Sequence, residues 1–291
     1  MLELLKVLPM TLLQKRIRAL STDLQKSVAR LERDVTARDV HRLRTTIRRL
    51  ESVIGFTNPD VGKKQQKALD KLEKLRKRAG RVRDLDIQIG LMAAIANGST
   101  ASDRRAMTDL LKARRQRQAT RLVGELRELD HRIFPRLEKI SEQIEGLFHQ
   151  TKESSPLEQS RSQLVEMARR APARQSLKAA RLHEMRISLK RIRYTVELAQ
   201  ESEGKKELLE ELKPVQDAIG DWHDWETLVA TAEKQFRGRL NCPLLVEMRA
   251  LYSDRFSSAT SAVTRLFEKF VSPERRKPST PAVVADLARP A

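Results

Sequence analysis

The sequence predicts an all-α protein of long helices, and three observations lead to this prediction. Leu, Ala, Arg, Glu, Lys and Gln are abundant, and all of them favour helices. The chain contains no convincing run of alternating apolar and polar residues, which would indicate a half-buried strand. Turn-forming residues divide it into segments of about 14 to 30 residues, a range that is common for helices in bundles.

Glycine and proline set the boundaries of the predicted helices. In chain order, breaks are expected at Gly55–Pro59, Gly80, Asn97–Thr100, Pro135, Ser154–Pro156, Pro172, Gly204, Gly220 and Pro243. Ser102 and Asp103 are expected to cap the helix that follows them, and Ser155 to precede a helix whose first turn holds Pro156. Residues 272–291 are rich in proline and predict a disordered, basic tail.

Two segments of the chain have nearly the same pattern. Each carries a histidine, at position 41 or 183, followed by basic residues three, seven and eight positions later. These basic residues are Arg44, Arg48 and Arg49 in the first copy and Arg186, Lys190 and Arg191 in the second. A second pair of segments, Gly80–Asp86 and Gly220–Glu226, repeats at a similar offset. The two repeats predict an internal duplication, with residues 1–150 as the first helical half and 151–271 as the second.

Helical geometry places an apolar stripe beside a basic stripe in each copy. The apolar stripes, expected in the core, are Val40, Leu43, Ile47, Leu50 and Ile54, and Leu182, Met185, Leu189, Ile192 and Val196. The basic stripes border the core and consist of His41, Arg44 and Arg48, and of His183, Arg186, Lys190 and Arg193. Arg42, Arg49 and Arg191 point further towards solvent.

Cations at the border of a core need counter-charge. Carboxylates such as Asp84, Asp86, Asp217 and Asp224 are one source, and a bound anion is the other. The chain has 58 Lys and Arg against 39 Asp and Glu, a net charge of +19, which favours an anionic partner. Nucleic acid, polyphosphate, nucleotides and an anionic membrane surface are the candidates, and a basic protein without such a partner is the alternative.

Other features narrow the class of protein. Cys242 is the only cysteine, so the chain forms no intrachain disulfide and a reducing compartment, the cytoplasm, is expected. The longest apolar run, Leu91–Ala96, is too short to cross a bilayer, and the first residues do not resemble a signal peptide. Aromatic residues make up only 4% of the chain, which argues against base stacking as the main binding mode.

Metal-dependent phosphate hydrolysis and nucleic-acid binding are two alternative functions. His223 and Asp224 form a dipeptide seen in metal-dependent phosphohydrolases, but the five histidines show no spacing typical of a metal site. We therefore expect no metal, no cofactor and no catalytic residue. A second basic run could bind nucleic acid weakly, although a solvated helix face is the simpler interpretation. Its members are Lys112, Arg114, Arg115, Arg117 and Arg121.

At the repeated segments the chain resembles the CHAD family, the α-helical domain named for its histidine. The signature V-H-x-L-R-x-x-x-R-R-L-R is met by Val40–Leu50 except at its last position, and L-H-x-x-R-x-x-x-K-[KR]-x-R-Y is met by Leu182–Tyr194. The element G-x-V-R-D-L-D is met by Gly80–Asp86, and L-K-x-x-Q-D-x-[IL]-G-D by Leu212–Asp221. The four motifs follow one another in the right order, and the likeness covers about residues 10–270.

The resemblance implies two antiparallel four-helix bundles, related by a pseudo-twofold axis, with a basic central cleft or pore. It also implies that the cleft binds inorganic polyphosphate, that the protein associates with polyphosphate granules, and that it is a binding module and not an enzyme. The polyphosphate-binding residues expected on this basis are His41, Arg44, Arg48, Arg49, His183, Arg186, Lys190, Arg191, Arg193 and Lys213. The two histidines either contact the ligand when protonated or orient neighbouring side chains.

The chain departs from the family pattern at two positions. Glu51 stands where the first signature usually has arginine, whereas its counterpart Arg193 is present, so the two sides of the cleft are expected to be unequal. Pro214 lies next to Lys213 inside the fourth motif, and is expected to kink or restart that helix.

Overall fold

The computed structural model describes residues 12–57, 61–95, 100–129, 132–148, 155–171, 177–239 and 241–271. All regular elements in these ranges are α-helices, so the all-α prediction is confirmed. The helices of the described residues are α1 (Leu12–Arg33), α2 (Ala37–Thr57), α3 (Lys63–Ala94), α4 (Ala101–Arg127), α5 (Ile133–Phe148), α6 (Pro156–Arg169), α7 (Ala179–Leu198), α8 (Glu203–Gln235) and α9 (Pro243–Val271). The predicted tail at 272–291 lies outside the described residues.

Side-chain caps explain where several of these helices begin. The backbone N–H of Glu158 donates to Ser155 Oγ over 3.2 Å, and the N–H of Ser155 donates to Glu158 Oε2 over 3.1 Å. This capping box, with Pro156 in the first turn, confirms the predicted start of α6. By contrast, α4 begins at Ala101, so Ser102 and Asp103 belong to its first turn and do not precede it.

Two predicted breaks are wrong, because α3 and α8 run through Gly80 and Gly220 without interruption. A glycine inside a helix costs only about 1 kcal/mol, which tertiary packing readily offsets. Pro214 also lies inside α8 and does not restart it. The neighbouring Leu212 and Val215 are buried, and their packing offsets the hydrogen bond that proline removes.

Two hydrophobic cores lie in the two halves of the sequence. The first is formed by α1, α2, α5, most of α3 and the end of α4, together with Leu198 at the end of α7. The second is formed by α6, α7, the first half of α8 and the second half of α9. Both predicted apolar stripes are buried in these cores, the first from Val40 to Ile54 and the second from Leu182 to Val196, as the sequence predicted.

A third core joins the two halves. The end of α3 and the start of α4 pack there against the end of α8 and the start of α9. Met92, Met107, Trp225 and Met248 are among its buried side chains. The predicted halves therefore share apolar contacts, and they also meet where α2 contacts α7 and α3 contacts α8. No helix of the described part is long and apolar enough to span a membrane.

Candidate anion-binding site between α2 and α7

The contact between α2 and α7 brings four cations from the two repeated segments together. Arg44 and Arg48 come from α2, and Arg186 and Lys190 come from α7. All four are partly buried and lie close enough for each to feel the charge of others. We refer to these four side chains as the unpaired cluster.

The unpaired cluster has little direct counter-charge. Among the described residues, none of its members has a carboxylate oxygen within 4.0 Å, the limit for an ion pair. The Nε atoms of Arg44, Arg48 and Arg186 are buried and have no hydrogen-bond partner within the described part of the chain. Buried donors without partners are costly, at about 1–3 kcal/mol each and more for charged groups. An anion that reached these guanidinium groups would supply acceptors for hydrogen bonds.

The effect of this crowding is clearest at Lys190. Burial, followed by the charges of Arg186, Arg48 and Arg44, lowers the pKa of Lys190 to about 7. Burial also lowers the pKa of Arg44 and of Arg186, and the charge of Arg48 acts in the same direction on both. The charge of Asp84 opposes this shift on both arginines, and the charge of Asp224 opposes it on Arg186. Positive charge is therefore disfavoured at this site, because Asp84 and Asp224 offset only part of the effect of burial and crowding, and a bound anion would offset more of it.

A cleft of about 540 Å³ opens beside the unpaired cluster, between α2, α3, α6 and α7. Its basic lining side chains are Arg48, Arg76, Arg186, Lys190 and Arg191. Glu51 also lines the cleft, but Arg76 Nε donates to Glu51 Oε1 over 2.8 Å and offsets its charge. The side of the cleft formed by α2 is thus less basic than the side formed by α7. Arg76 of α3 supplies a cation near Glu51, where the family pattern has an arginine on α2.

Three of the predicted ligands are instead paired with carboxylates. Glu197 Oε2 accepts from Arg49 Nε over 3.0 Å, and Glu197 Oε1 accepts from Arg193 Nε over 3.3 Å. The main-chain oxygen of Glu197 accepts from Arg16 Nη1 and from Lys205 Nζ. We call Arg16, Arg49, Arg193, Glu197 and Lys205 the Glu197 cluster. The third paired ligand is the exposed Lys213, whose Nζ donates to Asp217 Oδ2 over 2.7 Å.

The two predicted histidines have different surroundings. His41 is largely exposed as a residue, and partial burial of its ring, followed by the charges of Arg83, Arg44 and Arg49, lowers its pKa. His183 is half-buried, with its ring centroid 5.1 Å from that of His223 on α8. Protonation of His41 near neutral pH is therefore disfavoured by the same positive charges that would attract an anion.

Helix α8 adds a group of residues that sequence reasoning did not assemble. His223 Nδ1 lies 3.0 Å from Glu226 Oε2, one helical turn away. Burial, followed by the charge of Arg186, lowers the pKa of His223 to about 3. Burial raises the pKa of Asp224 to about 6 despite the opposing charge of Arg186, and burial also raises the pKa of Glu226. His223 is thus neutral at pH 7. A search of the sequence for His and Glu spaced i, i+3 would have found His223 and Glu226.

The glycines of the two repeats differ in what lies beside them. A Cβ atom added to Gly80 on α3 would lie 3.4 Å from Arg44 Nε. A Cβ atom added to Gly220 on α8 would meet nothing within 4 Å. A side chain at position 80 would thus be in van der Waals contact with the guanidinium of Arg44, whereas Gly220 faces open space.

The second basic run does not form a comparable site. Arg115 Nε donates to Asp86 Oδ1 over 2.7 Å, and its Nη2 donates to the main-chain oxygen of Val35. Lys112, Arg117 and Arg121 are exposed on α4. This arrangement matches a solvated helix face, the simpler of the two interpretations of the run.

Comparisons with known proteins agree with this architecture. The family model described as CHAD domain matches residues 15–233. The fold is similar to the crystal structure of the CHAD domain from the plant Ricinus communis, with a TM-score of 0.67 and 16% identity, over 88% of this chain and 90% of that chain. It is also similar to PptA from Streptomyces chartreusis, with a TM-score of 0.61 and 14% identity, over 89% of this chain and 97% of that chain. None of the curated proteins matches the chain.

Proposed function

Because this chain belongs to the CHAD domain family, whose known role is polyphosphate binding, we propose that it binds inorganic polyphosphate in the cleft between α2 and α7. The observation that carries the proposal is the unpaired cluster. Three buried guanidinium Nε atoms lack hydrogen-bond partners among the described residues, and two of these arginines, Arg48 and Arg186, line the cleft of about 540 Å³. A guanidinium group donates two parallel hydrogen bonds to phosphate oxygens, so its geometry suits this ligand.

The proposed mechanism is electrostatic capture without chemistry. A linear polyphosphate supplies about one negative charge per internal phosphate, and its binding releases counterions from the chain. Affinity should then fall steeply with salt concentration, as it does for nucleic acids. In the cell, this activity would recruit the protein from the cytoplasm to polyphosphate granules.

A binding titration with long-chain polyphosphate tests the proposal. Arg186→Gln removes one buried, unpaired guanidinium and should weaken binding about tenfold or more, because a hydrogen bond to a charged group contributes about 1.5–3 kcal/mol. Arg117→Gln makes the same charge change at an exposed position of α4 and is the matched control. Equal losses in both variants would show that only the net charge matters.

Competition separates this function from non-specific nucleic-acid binding. Polyphosphate should displace fluorescent duplex DNA at a much lower concentration of phosphate groups than unlabelled DNA does. If the two compete equally per phosphate, the chain has no dedicated polyphosphate cleft.

The absence of turnover is part of the proposal and has its own test. Long-chain polyphosphate incubated with the protein and Mg²⁺ or Mn²⁺ should release no orthophosphate above a blank. Release that disappears in His223→Ala would instead support a metal-dependent phosphohydrolase.

A further inference from the structure

Helices α7 and α8 bring three metal-binding side chains together beside the unpaired cluster. His183 comes from α7, and His223 and Glu226 come from successive turns of α8. One ligand atom from each residue lies within 4.8 Å of the other two. This is the only group of three or more such side chains within the described part of the chain. All three are partly buried, which distinguishes them from exposed acidic pairs.

The chemistry of the three ligands selects a class of metal. Two imidazoles and one carboxylate are a common ligand set for Zn²⁺ with three protein ligands, in which water or another ligand takes the fourth position. Imidazole also suits Ni²⁺, Co²⁺ and Cu²⁺, whereas Mg²⁺ and Ca²⁺ prefer oxygen ligands. The sequence search missed the set because His183 lies 40 residues before His223 along the chain.

The geometry needs only a small adjustment. Donor atoms at about 2.0–2.1 Å from a tetrahedral Zn²⁺ lie about 3.3 Å apart. His223 Nδ1 and Glu226 Oε2 are already 3.0 Å apart. The ligand atom of His183 lies within 4.8 Å of the other two, so side-chain rotation needs to move it by no more than about 1.5 Å to reach this spacing. The ring centroids of His183 and His223 are 5.1 Å apart.

The surroundings hold the ligands in place and set the local charge. The buried indole of Trp222 lies 6.1 Å from the His223 ring, centroid to centroid. Arg186 and Lys190 repel a dication, whereas Asp224 and Asp84 attract it. We infer that His183, His223 and Glu226 form a site for one divalent transition-metal ion, with Zn²⁺ as the best-fitting ion.

Isothermal titration of the full chain with Zn²⁺, after removal of metal with a chelator, tests the inference. The titration is done without polyphosphate, which itself binds cations, and with an excess of Mg²⁺ in the buffer. The expected result is one Zn²⁺ per chain. His223→Ala and the isosteric Glu226→Gln should each weaken binding by about 100-fold or more, since even residues that only orient a ligand contribute about 10–100-fold.

The matched control is His41→Ala, which removes a histidine of the other repeat and should leave the Zn²⁺ affinity unchanged. Circular dichroism establishes that each variant is folded. Co²⁺ in place of Zn²⁺ should give the visible absorption bands of a four-coordinate ion, and Glu226→Gln should remove them. Wild-type affinity in both α8 variants, or no saturable binding by the native chain, would overturn the inference.

The metal site and the proposed function fail independently. Polyphosphate binding measured in excess chelator depends on the unpaired cluster and should persist without metal. If Zn²⁺ binding is absent and polyphosphate binding persists, only the metal inference falls. If Zn²⁺ binds at this site and polyphosphate does not bind, only the proposed function falls.

Discussion

Two groups of cations bridge α2 and α7, and they differ in counter-charge. In the Glu197 cluster, Arg49 of α2 and Arg193 of α7 share one carboxylate. In the unpaired cluster, Arg48 of α2 faces Arg186 and Lys190 of α7 without an ion pair among the described residues. The same two helices therefore carry one basic group whose arginines share a carboxylate and another whose cations have no ion-pair partner among the described residues. Basic residues in a repeated motif are not equivalent ligands, because only those without a partner can offer their full charge.

Removing two arginines from either group should separate the two roles most strongly. We expect Arg48→Gln with Arg186→Gln to weaken polyphosphate binding by about 100-fold, since two hydrogen bonds to charged groups are lost. The double variant Arg49→Gln with Arg193→Gln has the same net charge and should lose less than about tenfold, because these guanidinium groups already bind Glu197. Calorimetry at one fixed salt concentration measures both. Equal losses would mean that the pairing seen here does not decide which arginines bind.

Neutralising Glu197 should have the opposite pattern. Glu197→Gln leaves two guanidinium groups without a charged partner, and we expect a loss of about 1–2 kcal/mol in the free energy of unfolding. The estimate is below that for a fully buried pair because the side chains of Arg49 and Arg193 are 43% and 40% exposed. Urea unfolding measures the loss, and polyphosphate affinity should be unchanged or higher. A fall in affinity without a loss of stability would contradict the structural role of this cluster.

Lys190 makes the contrast depend on pH. Because its pKa is lowered to about 7 in the folded chain, the unfolded chain holds more protons between about pH 7 and its ordinary pKa of about 10.5. The stability of the ligand-free protein should therefore rise as the pH increases through this window, and Lys190→Met should remove that rise. Polyphosphate favours the protonated amine, so its affinity should fall as the pH increases from about 6.5 to 8.5.

Asp224, with its pKa raised to about 6, loses its proton just below the range of about pH 6.5 to 8.5 in which affinity is compared. The negative charge it gains repels polyphosphate, so it also lowers affinity as the pH increases. Measurements on Asp224→Asn in buffer with chelator isolate the contribution of Lys190. A pH profile of affinity that is the same in the native chain and in Lys190→Met would show that this amine does not titrate in the site.

The two repeat glycines give the smallest expected difference. Gly220→Ala should stabilise the chain by about 0.5–1 kcal/mol, because alanine favours a helix and its Cβ meets open space. Gly80→Ala should gain less, since its Cβ would come into van der Waals contact with the buried Arg44 Nε at 3.4 Å. Thermal unfolding of both variants measures the difference. Equal stabilisation would show that the contact between Gly80 and Arg44 does not constrain the unpaired cluster.

Much of the fold followed from local pattern. The buried stripes from Val40 to Ile54 and from Leu182 to Val196 were predicted because 3.6-residue periodicity is a property of each helix alone. The breaks predicted at Gly80 and Gly220 were wrong. The low helix propensity of glycine is a weak local effect, and the tertiary packing that offsets it cannot be read from the sequence. The internal duplication and its pseudo-twofold axis stay predictions.

The candidate site was only partly foreseeable. Arg48, Arg186, Lys190 and Arg191 line the cleft as residues of the predicted set, whereas Arg76 was missed because it lies outside every motif. The metal-binding group of α7 and α8 was missed for a similar reason, since its members come from two helices. Spacing along one helix can be computed, but contact between helices requires the packed structure.

The sequence by itself determined the helical class, the buried stripes, the excess of positive charge and the resemblance to the CHAD family, because each is written in local periodicity, composition or motif. Only the tertiary structure decided which cations have a carboxylate partner. The carboxylate that pairs with Arg49 lies 148 residues away, and no local rule connects them. Electrostatic pairing depends on distance in space. Whether an arginine pairs with a carboxylate or remains available to a ligand is therefore decided only when the helices pack.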